Sequence, residues 1–140
     1  MSRPKLGAIA VMHHQGRILL VKRRNEPNAN TWGFPGGHVE LGETALEAAV
    51  RELAEETSVV GTPLSYLTNI DAITRDATGT VQFHYLLAAV ACRYESGEPQ
   101  AADDVSDAGW FRPSEVQNLS LIHISEPTRL VHSSRMPSSA

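Results

Sequence analysis

The stretch that decides the fold is Gly37-His38-Val39-Glu40-Leu41-Gly42-Glu43-Thr44-Ala45-Leu46-Glu47-Ala48-Ala49-Val50-Arg51-Glu52-Leu53-Ala54-Glu55-Glu56-Thr57-Ser58-Val59. Thr44-Ala45-Leu46-Glu47 matches a capping box, in which the threonine hydroxyl accepts from the backbone N–H near Glu47 and the glutamate reaches back. A helix is therefore predicted from about Ala45 to Thr57. Leu46, Ala49, Val50 and Leu53 recur at the i, i+3, i+4, i+7 spacing of one buried stripe. Glu52, Glu55 and Glu56 stand at i, i+3 and i+4 and so fall within a single arc of roughly 100° on the helix.

Like charges held this close raise one another's pKa and repel, an arrangement that makes sense where a hard divalent cation neutralises them. Mg²⁺ is the expected ion, with Mn²⁺ as a substitute. Further back along the arc lie Ala48 and Ala45, small enough to let a metal-bound diphosphate approach the helix. Arg51 sits four residues after Glu47 and four before Glu55, and Glu43 lies at the helix entrance. One guanidinium is thus placed to tie several carboxylates together. Alone, an Arg-Glu-x-x-Glu-Glu helix also reads as a solvated acidic face.

The surrounding spacing changes that balance. Gly37, five residues, Glu43, seven residues, then Arg51-Glu52-Leu53-Ala54-Glu55-Glu56-Thr57-Ser58-Val59 resembles the box of the Nudix hydrolases at every acidic position and at the arginine. One fixed position departs: Ser58 stands where the family has a glycine that leaves the helix with positive φ. Serine there costs about 1 kcal/mol or shifts the turn, without touching a ligand. The resemblance runs from Gly7 to about Asn118, through a Lys22-Arg23 pair, Trp32 ahead of Pro35-Gly36-Gly37, and Trp110-Phe111 after an acidic loop.

What the resemblance implies is an α/β/α sandwich around a central mixed β-sheet, with Glu52, Glu55 and Glu56 as metal ligands. The Gly36 carbonyl is a further implied ligand, and Glu43 and Arg51 are implied organisers. The implied reaction is attack of water on a nucleoside diphosphate linked to another group. The chain looks similar to ADP-ribose pyrophosphatase-like members, though many of these carry a proline some fifteen residues past the box, where this chain has Ile73-Thr74. Nucleoside triphosphate pyrophosphohydrolysis is the second reading. A third is a binding module that no longer cleaves, but such modules usually lose box carboxylates that this chain keeps.

Outside the box, the expected substrate contacts are Arg23 and Arg24 for phosphate, Phe34 with Trp32 for the base, and His84, which shares a strand face with Gln82. For the proton of the attacking water the acids weighed are Glu55, Glu56, Asp103 and Asp104. His13, His14 and His38 are read as structural or solvated. Leu6 to His13 and Arg17 to Lys22 read as a hairpin about Gln15-Gly16, and Asn25 to Asn30 as loop. Val59 to Leu67, interrupted at Gly61-Thr62-Pro63, and Asn69 to Thr74 read as strand material; Asp76 to Gly79 reads as a turn and Val81 to Arg93 as a long strand. Gly109-Trp110-Phe111 reads as a short strand, followed by a helix capped by Ser114.

At 140 residues with a formal net charge of -4, the chain has room for one domain and too little positive charge to wrap nucleic acid. It has no apolar run long enough to span a bilayer and no secretory signal, so the expected compartment is the cytoplasm, as monomer or homodimer. Cys92, the single cysteine, reads as a packed thiol. From Leu119 the residues Leu-Ser-Leu-Ile-His-Ile-Ser-Glu-Pro-Thr-Arg match, codon by codon, the constant part of a transposase sequencing adapter. Ser134 to Ala140 matches the next constant segment in the same frame. We read residues 1–118 as the domain and 119–140 as non-native read-through that truncates the closing helix. The other reading of that tail is an ordinary Ser/Pro-rich one.

Overall fold

The opening hairpin turns at Gln15-Gly16, where both residues take positive φ, 53° and 77°. That backbone is the two-residue turn whose twist suits antiparallel strands. It joins β1 (Lys5–His14) to β2 (Arg17–Arg23), and the computed structural model describes residues 3–25 and 29–116. The two strands pair at His13↔Ile18 and His14↔Arg17, next to the turn, and diverge beyond it. The wedge between them takes β3 (Trp32–Gly33), which pairs with β2, and β4 (Gly36–His38), which pairs with β1.

Helix α1 (Ala45–Thr57) follows, with both halves of the predicted capping box formed at 2.9 and 3.0 Å. The chain then makes a hairpin of β5 (Val60–Arg75) and β6 (Val81–Ser96), and returns as β7 (Val105–Phe111) along β2. β6 lies parallel to β1 from Lys5↔Tyr85 to His13↔Arg93, while the other pairs are antiparallel, so the sheet is mixed. The two strand pieces expected over residues 59–74 are one strand. Pro63 is tolerated because β5 is an edge strand, where a missing N–H need not break a ladder. β7 begins earlier than expected, because the length of β2 gives it partners back to Val105.

Alternation along β1 sorts the core. Ala8, Ala10 and Met12 face α1 with Leu19, Val90 and Cys92, whereas Ile9 and Val11 face the other side with Ile70 and Ala89. Ala48, Ala49 and Leu53 are fully buried against the first set, and Leu46 and Val50 are half-buried. The buried stripe is therefore rotated from the expected one. Ala48 packs on β1 and offers no surface to a diphosphate, because the alanines of β1 let the helix settle closely there. Replacing Leu53 with alanine would cost about 2–5 kcal/mol.

The short helix α2 (Pro113–Val116) starts one residue before the expected cap. Proline suits a first helical position, and the Glu115 carboxylate accepts from Arg112 N–H at 2.6 Å, so Ser114 is not the cap. The closing helix expected beyond Val116 and the reading of residues 119–140 as a tail fall outside the described residues. No helix among the described residues is long and apolar enough to cross a membrane.

Ser58 ends α1 at φ 67° and ψ 8°, with its N–H donating to Ala54 carbonyl at 2.9 Å. A Cβ in that left-handed conformation is strained. Ser58→Gly should raise the denaturation midpoint by the equivalent of about 0.5–1 kcal/mol in a chemical melt. An unchanged or lower midpoint would contradict this account of the helix end.

Candidate active site

The wedge strand β4 brings two glycines against β1 and α1. Gly36 pairs with Ile9 so closely that a Cβ would stand 2.8 Å from the Ile9 Cα. Its N–H donates to Oε1 of Glu56 at 3.2 Å. At Gly37 a Cβ would lie 2.5–2.7 Å from the carboxyl atoms of Glu52. Both positions must therefore be glycine if the two glutamates are to sit where they do.

Arg51 occupies the centre of the acidic group. Its Nε and Nη2 donate to the two oxygens of Glu43 at 2.8 and 3.0 Å, and its Nη1 to Glu52 at 3.0 Å and Glu55 at 3.3 Å. Nη2 also reaches the His38 carbonyl at 2.9 Å, which ties the helix to the end of β4. Glu40 N–H donates to Glu43 at 2.9 Å and fixes it from behind. Glu47, offered to Arg51 by spacing, serves the cap instead.

Burial and charge act differently on each acid. The Arg51 hydrogen bond, helped by the Glu40 N–H, holds the Glu43 carboxyl below the usual carboxylate range. Desolvation pushes Glu52 up, against the pull of Arg51. Glu56 is buried, and desolvation first, then the Glu52 charge, raise it to about 8 despite the Gly36 N–H. The Asp104 charge adds to the rise and the Arg23 charge opposes it. Arg51 in turn is held more firmly protonated, chiefly by Glu43.

The donor set suits a hard divalent cation: carboxylate oxygens on one helix turn, two of them seated by glycine backbone, with a charge excess that such an ion would offset. Among the described residues no three acidic, His or Cys side chains form a finished metal cluster. Glu52 and Glu55 turn toward Arg51 and Glu56 toward Gly36, so binding would draw carboxylates off the guanidinium.

Not every expected contact gathers here. Arg24 is committed to the fold, its Nη2 donating to the Val105 carbonyl and its N–H to the Asp104 carbonyl, both at 2.9 Å. Phe34 packs on Ile9, Val11, Ile70 and Ala89, across the sheet from α1, because it lies on the odd-numbered side of β1. Trp32 meets Phe111 edge to face at 4.8 Å. His84 pairs with Ile73, four residues along β6 from Ala88, the residue level with Gly37 across β1. At about 3.3 Å per residue that is roughly 13 Å along the strand from the level of Gly37. Phe34 and His84 therefore stand apart from the carboxylates, and one guanidinium N–H of Arg24 is taken up within the fold. A cavity of about 610 Å³ lies at the β1–β2 turn, lined by Gln15, Gly16, Arg17, Arg112, Pro113 and Ser114.

Sequence reasoning missed how the acidic loop is fastened. Gln100 N–H and Ala102 N–H donate to the Thr57 and Glu56 carbonyls at 2.8 and 3.0 Å, capping α1 and delivering Asp104. These bonds involve backbone alone. The local signal was Gly97, whose φ of 101° brings it against Ser58.

The raised Glu56 pKa has a consequence for folding in the absence of divalent ions. Below pH 4.5 folded and unfolded chains both hold the proton; between 4.5 and about 8 the unfolded chain releases it first. Stability should therefore fall as pH rises through that window, by an amount on the order of a few kcal/mol, and level off above it. Urea melts in chelator should show this slope in the parent chain and a much flatter one in Glu56→Gln. Identical slopes would contradict the burial of Glu56.

Comparison with known proteins agrees with this geometry. The NUDIX domain model matches residues 1–130. An ADP-ribose pyrophosphatase of Methanocaldococcus jannaschii is 32% identical over 121 residues, covering 86% of this chain and 69% of that protein. Phosphatase NudJ of Escherichia coli is 33% identical over 87 residues, covering 62% of this chain and 56% of that protein, so the chain spans little more than half of that relative. The NUDIX domain of Shewanella oneidensis NrtR, crystallised with ADP ribose, superposes with a TM-score of 0.73 at 26% identity, over 97% of this chain and 89% of that one. The box on α1, the wedge of β3 and β4 and the match over residues 1–130 lead to one conclusion, that this chain belongs to the Nudix hydrolase family.

Proposed function

We propose that the chain is a Mg²⁺-dependent pyrophosphohydrolase that cleaves ADP-ribose, or a closely similar nucleoside diphosphate derivative, to AMP and a sugar phosphate. The observation that carries this reading is the seating of Glu52 and Glu56 by Gly37 and Gly36 on one turn of a helix whose Arg51 binds the remaining acids. The ADP-ribose relatives support the substrate class. Bound Mg²⁺ would acidify the attacking water and offset charge on the diphosphate.

Glu52, Glu55 and Glu56 are the side chains proposed to hold that ion, with the Gly36 carbonyl beside them. Arg51 and Glu43 would orient the carboxylates, with Arg51 releasing Glu52 and Glu55 as the ion binds. The proton of the attacking water would go to one of the carboxylates at this site, Glu55 or Glu56 on the helix or Asp104 on the acidic loop. That water's oxygen bonds to one phosphorus of the diphosphate, and the bridging oxygen leaves with the other phosphate. Arg23, whose charge opposes the rise at Glu56, is the proposed partner of the substrate phosphates.

Ile73-Thr74, at the place where many ADP-ribose hydrolases carry a proline, is what favours a nucleoside triphosphate as the second substrate class. Incubation of the purified chain with Mg²⁺ separates the two. Release of AMP and ribose 5-phosphate from ADP-ribose is expected, with Glu52→Gln and Glu56→Gln each lowering kcat about 10²-fold or more. Release of pyrophosphate from nucleoside triphosphates alone would move the assignment to that class. Full turnover by Glu56→Gln would remove that residue from the chemistry.

A further inference from the structure

β5 is the last strand on its side of the sheet, and its outer edge pairs with no other strand among the described residues. Near its start that edge is broken. Leu64 and Leu67 are extra residues without partners on β6, and such bulges twist an edge away from any neighbour. From Thr68↔Ala89 to Thr74↔Phe83 the pairing runs without interruption, and the extra residue at the next shift, Gln82, belongs to β6. β5 is therefore regular over residues 68–75 and presents a row of backbone N–H and C=O groups along its open side.

Alternation places Asp71, Ile73 and Arg75 on one face of this stretch, all of them exposed. Among the described residues Asp71 forms no ion pair, and Arg75 donates to the Gly79 carbonyl at 3.2 Å without meeting a carboxylate. An edge guarded by charges of one sign repels its own copy. This edge carries one charge of each sign, equally spaced about an apolar residue. An antiparallel pair of two such strands with its twofold axis at Ile73 sets Asp71 of each copy opposite Arg75 of the other. The two Ile73 side chains then meet on the axis.

We propose that the regular edge of β5 is the docking surface for a second copy of this chain, forming an isologous dimer by β5–β5 pairing about Ile73. The paired length is that of a weak, concentration-dependent dimer rather than a permanent one. The inference rests on the edge strand alone and is independent of the proposed reaction.

Sedimentation velocity over a concentration series tests it with the full chain. The parent chain should show reversible monomer–dimer exchange, Asp71→Arg and Arg75→Asp should each weaken association about tenfold or more, and the double reversal should restore it. A parent chain that stays monomeric throughout, or single reversals without effect, would overturn the proposal; so would a double variant no better than either single one. If the charge variants do not fold, Ile73→Cys decides the matter with oxidised glutathione as oxidant, since Cys92 is buried. Two Cys thiols at position 73 facing each other on the axis should oxidise to an intermolecular disulfide, while Ser106→Cys, on β7, should not. No crosslink at 73, or an equal one at 106, would overturn the proposal.

Discussion

Everything at the acidic face depends on how closely β4 approaches its neighbours. Gly36 lies against Ile9 and Gly37 against the Glu52 carboxyl, and neither position has room for a Cβ. That approach exists because β1 and β2 part just beyond their turn and leave a wedge for Trp32–His38. Backbone then replaces side chain at the helix surface: the Gly36 N–H meets Glu56, and the His38 carbonyl meets Arg51. The helix and the sheet are joined at the site through main-chain groups, which move less than side chains and hold geometry better.

The same approach is costly. Removing Glu52 and Glu56 from water on one helix turn disfavours their ionised forms, and the shift of Glu56 to about 8 expresses that penalty. Arg51 bonds to Glu43, Glu52 and Glu55, whereas Glu56 accepts from the Gly36 N–H. Strain held at a site and relieved elsewhere is a common signature of function. Here the relief is supplied by a well-packed helix, with Leu53, Ala48 and Ala49 buried behind the acids.

Much of this was legible in the sequence, for reasons that differ by element. The capping box and the helix bounds follow from local hydrogen bonding, so Thr44 and Glu47 fixed them. Ser58 could be placed in a left-handed conformation because the chain must leave the helix there. The grouping of Glu43, Arg51, Glu52 and Glu55 follows from helical spacing. Burial of Ala48 did not follow, because the stripe on a helix is chosen by what it meets, and the alanines of β1 were not yet assigned a face. Phe34 lies on the face of the sheet away from α1, which strand alternation does not reveal, because it gives two faces without saying which one the helix covers. The fastening of the loop carrying Asp104 uses only backbone N–H groups of Gln100 and Ala102, to which residue identity is nearly silent.

The central claim is that a buried, proton-holding Glu56 and its neighbours become an oxygen cage for a divalent cation. Calorimetric titration of Mg²⁺ or Mn²⁺ into the chelator-treated chain at pH 7, repeated in buffers of different ionisation enthalpy, counts protons released on binding. With Glu56 near 8, close to one proton per bound ion should be released. Binding that releases none, or no binding at all, would contradict the account.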